Sequence, residues 1–313
     1  VTVIVSIVVA LLLLWLAVWT VIARDAFLAV AGFVVYGLLL ALVWVRLAGI
    51  DVALTEAAIG GGLTGALLLG AVGRLRRTEA TVGGENASAG TRALGAVLAI
   101  GVTAALMVGV LALPDPVPTL APLVVPALPQ TGVENPITGV LLAFRALDTL
   151  LEAIVLVIAL IGVWSLAADN AWGARPGLEY VSDPDGILAY LARVLPPLGI
   201  VIALYVFWAG ADHPGGKFQA ATILAAMWML VQMAGLFDTP RIDHRGVRFG
   251  LVLGPLVFIA VGVSGLWLAG SFLGYAEGWA KPMILTIEIA LLPTLVLVLA
   301  LLMNGPPRTR SAP

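Results

Sequence analysis

The 313-residue sequence contains no cysteine, which excludes disulfides, thiolate zinc sites and cysteine-held iron–sulfur clusters. Its two histidines, His213 and His244, are too few for most imidazole metal sites or for a haem held by two imidazoles. No metal site and no cofactor is therefore expected. Charge is scarce as well: 16 Lys+Arg and 18 Asp+Glu make up 11% of the residues, and the net charge of -2 provides no basic stripe for nucleic acid. What remains is apolar. With 61% hydrophobic residues and a mean hydropathy of +1.10, the solvent of most of this chain is lipid, which excludes a soluble globular protein.

The uncharged run Val1 to Ile22 has no positive leader and is longer than a signal-peptide core, so it reads as a retained transmembrane helix. Further runs lie at about 26–48, 52–73, 93–113, 146–168, 194–210, 218–237, 248–270 and 283–303. The expected fold is an all-α, polytopic membrane bundle of about nine spans. At roughly 20 residues each they leave about 110 residues for all loops, too few for a soluble catalytic domain. The chain is not expected to be an enzyme.

The basic residues decide the topology. One set of alternate ends carries twelve: Arg24, Arg74, Arg76, Arg77, Arg92, Arg175, Arg193, Arg241, Arg245, Arg248, Arg308 and Arg310. The other set carries only Lys217 and Lys281, while Arg46 and Arg145 lie at or within spans. This asymmetry predicts nine helices with the N-terminus outside and the C-terminus cytoplasmic. Thr78 to Gly90 and Ala168 to Gly186 read as aqueous cytoplasmic linkers between modules. The stretch Pro114 to Pro136, with seven prolines, reads as an extended outer cover rather than a helix.

An ionisable side chain in a span normally faces a bundle interior or a water path. The candidates are Glu56 in the third span, Arg145, Asp148 and Glu152 at the start of the fifth, and Glu288 in the ninth. Spacing i, i+3, i+7 places Arg145, Asp148 and Glu152 on one helix face, where one cation meets two carboxylates. Arg145 can neutralise Asp148 as a boundary ion pair, which leaves Glu152 for a proton or sodium relay. Glu56 precedes Gly60, Gly61, Gly62 and Gly65, which permit close helix approach or a local break; it is either a hydrated boundary residue or an ion ligand. Glu288 is expected either to act in ion transfer or to pair with another subunit. Its face and the N-terminal span are expected to lie against partners or lipid. Between the sixth and seventh spans, the segment Asp212, His213, Pro214, Gly215, Gly216, Lys217 is a turn by composition: a tight outer hairpin or a re-entrant cation mouth. His213 lacks a second outer imidazole and is not expected to bind metal.

Three stretches resemble one family group in the same order. Gly49-Ile50-Asp51-Val52-Ala53-Leu54-Thr55-Glu56-Ala57-Ala58 resembles a three-helix region near the C-terminal end of MrpA in Mrp-type sodium/proton antiporters, which is found as the separate MbhD chain of membrane-bound hydrogenases. Asn135-Pro136-Ile137-Thr138 through Phe144-Arg145-Ala146-Leu147-Asp148-Thr149-Leu150-Leu151-Glu152 resembles the adjoining MbhE-type region, with Ala146 in place of the pattern's Gly. Gly210 to Ala221, with the chain beyond it to about Met303, resembles the antiporter's MnhB domain. There Ala211, Asp212 and Lys217 replace the His, Asn and a Gly of the pattern Gly-His-Asn-x-Pro-Gly-Gly-Gly-Phe.

The resemblance implies three regions: 1–90 (MbhD-like, three helices), 91–186 (MbhE-like, two helices) and 187–313 (MnhB-like, four helices). It also implies membership of a multisubunit complex in the inner (plasma) membrane of a prokaryote. Its implied partners are antiporter-like membrane subunits, small Mrp C, F and G type subunits, the lipid bilayer, and sodium or protons. Two roles stay open: intramembrane carboxylates lining a sodium/proton path, or a scaffold joining antiporter-like subunits to a hydrogenase, oxidoreductase or other module. The basic-residue asymmetry is checked directly by a C-terminal reporter, which is expected to be active only in the cytoplasm; an outer signal contradicts the nine-span topology.

Overall fold

The computed structural model describes residues 2–79, 88–177, 180 and 183–308. Most of the expected linker 78–90 thus lies outside the described residues, as do 178–179 and 181–182 of the second linker. In chain order the helices are α1 (Thr2–Ile22), α2 (Ala26–Arg46), α3 (Ile50–Thr55), α4 (Thr64–Glu79), α5 (Ala89–Leu111), α6 (Ala121–Ala127), α7 (Pro136–Gly139), α8 (Ala146–Trp164), α9 (Ile187–Ala209), α10 (Lys217–Met233), α11 (Arg245–Leu268) and α12 (Ala280–Asn304). Two π-helical segments, Glu56–Leu63 and Val140–Phe144, join α3 to α4 and α7 to α8. Two short strands, β1 (Arg175–Pro176) and β2 (Pro307–Arg308), pair antiparallel. Lipid offers backbone groups no partner, so a spanning segment satisfies them within a helix. Among the described residues, eight helical spans are long and apolar enough to cross a membrane, and α10 adds a further helix of 17 residues. The chain is a helical membrane bundle.

The stretch 114–136 departs from the extended cover expected of it: it holds α6 and a 3-10 turn, Leu128–Thr131. Proline breaks a helix from its interior, but in the first turn the missing N–H has no intrahelical partner to lose. Pro122, Pro129 and Pro136 each occupy such a position. The third span is also not one uniform α-helix. Its wide π turns fall on Gly60, Gly61 and Gly62, residues with low α-helix propensity. Their lack of side chains brings α2 close: a methyl on Gly37 would lie 3.0 Å from Gly61 Cα.

α12 is the buried axis. Ile284, Ile287 and Leu291 pack with Leu142, Leu150 and Phe258 toward one end, and Val298 and Leu301 pack with Leu160, Trp164, Val247 and Leu251 toward the other. Leu295 and Leu299 meet Leu63, Ala221 and Ala225 on a third side. By contrast, α1 packs chiefly on α2, and every residue of α5 is exposed. In this core the Thr294 hydroxyl donates to the Gly250 carbonyl at 2.6 Å and accepts from the Gly254 N–H at 2.9 Å. It thereby sits against the α11 backbone beside Pro255, whose missing N–H weakens the helical ladder. A Thr294→Val substitution is expected to cost about 1–3 kcal/mol by leaving buried backbone groups without this partner. A lower Tm in detergent, restored by Thr294→Ser, checks it.

Candidate functional site

At the end of the bundle where α10 begins, one side-chain amide ties three distant segments together. Asn135 caps α7 by accepting from Ile137 N–H at 2.9 Å. Its Nδ2 lies 3.0 Å from the His213 carbonyl, 3.2 Å from the Gly210 carbonyl and 3.3 Å from Asp51 Oδ1. That same Asp51 oxygen accepts from Gly215 N–H at 3.0 Å, and Thr138 Oγ1 donates to the Gly210 carbonyl at 2.6 Å. The three stretches singled out by pattern therefore converge.

The turn itself is a tight hairpin, closed by Gly216 N–H to the Val206 carbonyl at 3.0 Å. Gly215 and Gly216 have φ of 151° and 141°, which favour glycine, and a methyl on Gly215 would lie 2.4 Å from the Val206 oxygen. Asp212 accepts from Lys281 Nζ at 2.7 and 2.8 Å and from Glu134 N–H at 3.2 Å. The Lys281 hydrogen bond holds its carboxyl below the ordinary carboxylate range against the opposing effect of burial.

The sequence places Lys217 in an outer loop, but it is the first residue of α10 and is buried, with 4% of its surface exposed. Its long side chain reaches Glu288 on α12, which is 3% exposed, with Nζ 3.5 Å from Oε1. This corrects the expectation that Glu288 faces a partner chain or lipid: a carboxylate and an ammonium within one apolar bundle lower each other's burial cost, so they meet inside it. A cation in the first turn opposes the helix macrodipole, so Glu288 and the Phe218 ring, 5.5 Å from Nζ, offset an otherwise unfavourable position. Pair, turn and motif border one cavity of about 260 Å³, lined among others by Asp51, Thr55, Glu152, Lys217, Gln219 and Glu288. Gln219 Nε2 donates to Thr55 Oγ1 at 2.9 Å across it. The phenol of Tyr275 donates to the Leu142 carbonyl and is pushed upward by burial and by the Glu288 charge.

The remaining candidates are distributed differently. Arg145 (φ -132°, ψ 37°) lies in the break between the π segment and α8, so the three-residue stack on one helix face does not form. It instead pairs with Asp148 at 2.6 Å, both side chains exposed at 66% and 52%. Arg145 borders a separate groove of about 780 Å³ with Phe144 and Tyr275, whereas Glu152 borders the Lys217 cavity. Glu56 begins the first π segment, where its carboxylate lies over Gly60 and near Gly37, and it is not among the residues lining that cavity.

Sequence reasoning misses Asn135, Thr138 and Gln219 as organisers of this end, and it misses the Lys217–Glu288 pair. The signal for the pair is the counter-charge requirement itself: Glu288 lies deep in an apolar run and Lys217 abuts another. Because Asp212 has a depressed folded-state pKa, its stabilisation is complete above the unfolded value near pH 4 and is lost as pH falls through the folded value. Asp212→Asn is therefore expected to lower Tm at pH 7, with the gap to the unmodified protein closing below about pH 4.

The chain is 26% identical over 156 residues to an uncharacterised protein of Methanocaldococcus jannaschii, a match over 45% of this chain and 60% of that protein. Its fold superposes with TM-score 0.74 and 25% identity on a chain of the Mrp complex from a Dietzia species, covering 97% of this chain and 35% of that one. It also superposes, with TM-score 0.54 and 24% identity, on a chain of the membrane-bound sulfane sulfur reductase, an archaeal respiratory membrane complex, over 69% of this chain and 98% of that one. The chain thus spans less than two thirds of the length of the archaeal relative and of the Mrp chain. Since residues 3–77 match MbhD, the D component of MBH, and residues 187–305 match the domain related to the MnhB subunit of the Na+/H+ antiporter, the chain belongs to these families and joins them in one membrane protein.

Proposed function

We propose that this chain, as part of an Mrp- or Mbh-type complex, contributes intramembrane carboxylates to a cation/proton translocation path, and that Glu152 is the group that takes up and releases the ion. The observation that carries this reading is the charged cavity: Glu152, Lys217 and Glu288 border one space inside an otherwise apolar bundle. A carboxylate facing hydrocarbon costs several kcal/mol unless water or a cation reaches it. Lys217 engages Glu288 and Arg145 engages Asp148, so neither cation is left over for Glu152 alone. Arg145 and Asp148 tune it from the neighbouring groove, and Glu56 marks a second acidic position at the π segment. The proposed orientation has the Asp212–Lys217 end outside and the C-terminus in the cytoplasm of a prokaryotic cell. The three proposed modules, 1–90, 91–186 and 187–313, meet at Asn135. Partners are antiporter-like membrane subunits and small Mrp C, F and G type subunits, and the chain itself carries out no catalytic step.

A scaffold role without an ion path is the second reading, favoured by α5, whose residues are all exposed and offer a whole helix to neighbours. Glu152→Gln in the intact reconstituted complex separates the two. An amide preserves shape but cannot exchange a proton, so assembly is expected to persist while coupled transport falls about tenfold or more. Full coupled activity in this variant selects the scaffold.

A further inference from the structure

We infer that Lys217 is a tethered cation that selects for protons against sodium, its ammonium taking the position between Glu288 and Glu152 that a dissociable metal ion would otherwise occupy. This rests on the ion-path reading. The cavity presents three carboxylates, Asp51 from α3, Glu152 from α8 and Glu288 from α12, and one ammonium, Lys217 from α10. Asp51 is engaged by the Gly215 N–H and the Asn135 amide, which fix the turn. Glu152 and Glu288 therefore share a single built-in positive charge. One further positive charge balances the site, and a proton on either carboxylate supplies it without needing room.

A sodium ion meets two obstacles. It must shed water into a cavity of about 260 Å³ that already contains a lysine head, and it must approach an ammonium of like charge where water does not screen the repulsion. The backbone holds Lys217 there: the Gly215–Gly216 turn directs α10 into the bundle at that residue, and the side chain is buried among α10 and α12. The Nζ to Oε1 separation of 3.5 Å is longer than a closed charge-assisted hydrogen bond of about 2.8 Å. Neither group is locked against exchanging its partner.

The test uses the intact complex in proteoliposomes, measuring proton flux and radiolabelled sodium uptake over a range of NaCl at constant ionic strength. Glu152-dependent proton flux is expected to be indifferent to sodium in the unmodified complex and in Lys217→Arg, which keeps the charge. Lys217→Gln removes the charge and adds an oxygen ligand, and it is expected to gain Glu152-dependent sodium uptake of about tenfold or more. Lys217→Ala, which opens the cavity, is expected to do the same and serves if the glutamine variant does not assemble. Sodium uptake unchanged in an assembled neutral variant, or saturable Glu152-dependent uptake already present in the unmodified complex, overturns the inference while leaving the ion path intact. A silent Glu152→Gln overturns both.

Discussion

A polar group in a medium that cannot hydrogen-bond must find its partner inside the protein. In this chain that requirement acts at three depths. Along the spans it enforces helix, and where helix is interrupted it recruits a hydroxyl: Thr149 Oγ1 donates to the Leu141 carbonyl at 2.6 Å beside the break at Arg145, and Thr294 serves α11 in the same way. At the end of the bundle it recruits an amide, Asn135, whose donors face acceptors from three segments. In the middle it brings Lys217 to Glu288.

These solutions depend on one another. Asn135 holds Gly210 and His213, which fixes the turn; the turn sets where α10 starts; and that start places the Lys217 side chain within reach of α12. Asp51 joins the same network through Gly215 and brings α3, with Thr55 and the π segment behind it, against Gln219. Losing one partner of a buried ion pair costs about 3–5 kcal/mol. Errors in the turn would therefore propagate into the charged cavity, and the rigidity of the glycine hairpin is part of the site's geometry.

The periphery obeys the opposite rule. α1 and α5 carry apolar side chains all round and few contacts within the chain, and lipid or neighbouring membrane helices satisfy such surfaces equally well. The chain thus combines a dense half around α12 with helices that project from it. That division fits a component of a larger membrane assembly, where the polar chemistry lies in the dense half and the projecting helices supply area for association.

Hydropathy alone placed the spans, because a run of apolar residues long enough to cross lipid has no other stable solution, and most boundaries agree within a few residues. Glycine at 60–62 marked the irregular third span, and the scarcity of buried charge made Glu152 and Glu288 conspicuous. The sequence alone did not decide pairing. Arg145 and Glu152 look like neighbours on a helix face until the backbone break at Arg145 separates them. Lys217 and Glu288 are 71 positions apart and look unrelated. Composition and period report which side chains must avoid lipid, whereas which charge meets which follows from helix crossing and turn geometry, and only the folded bundle fixes those.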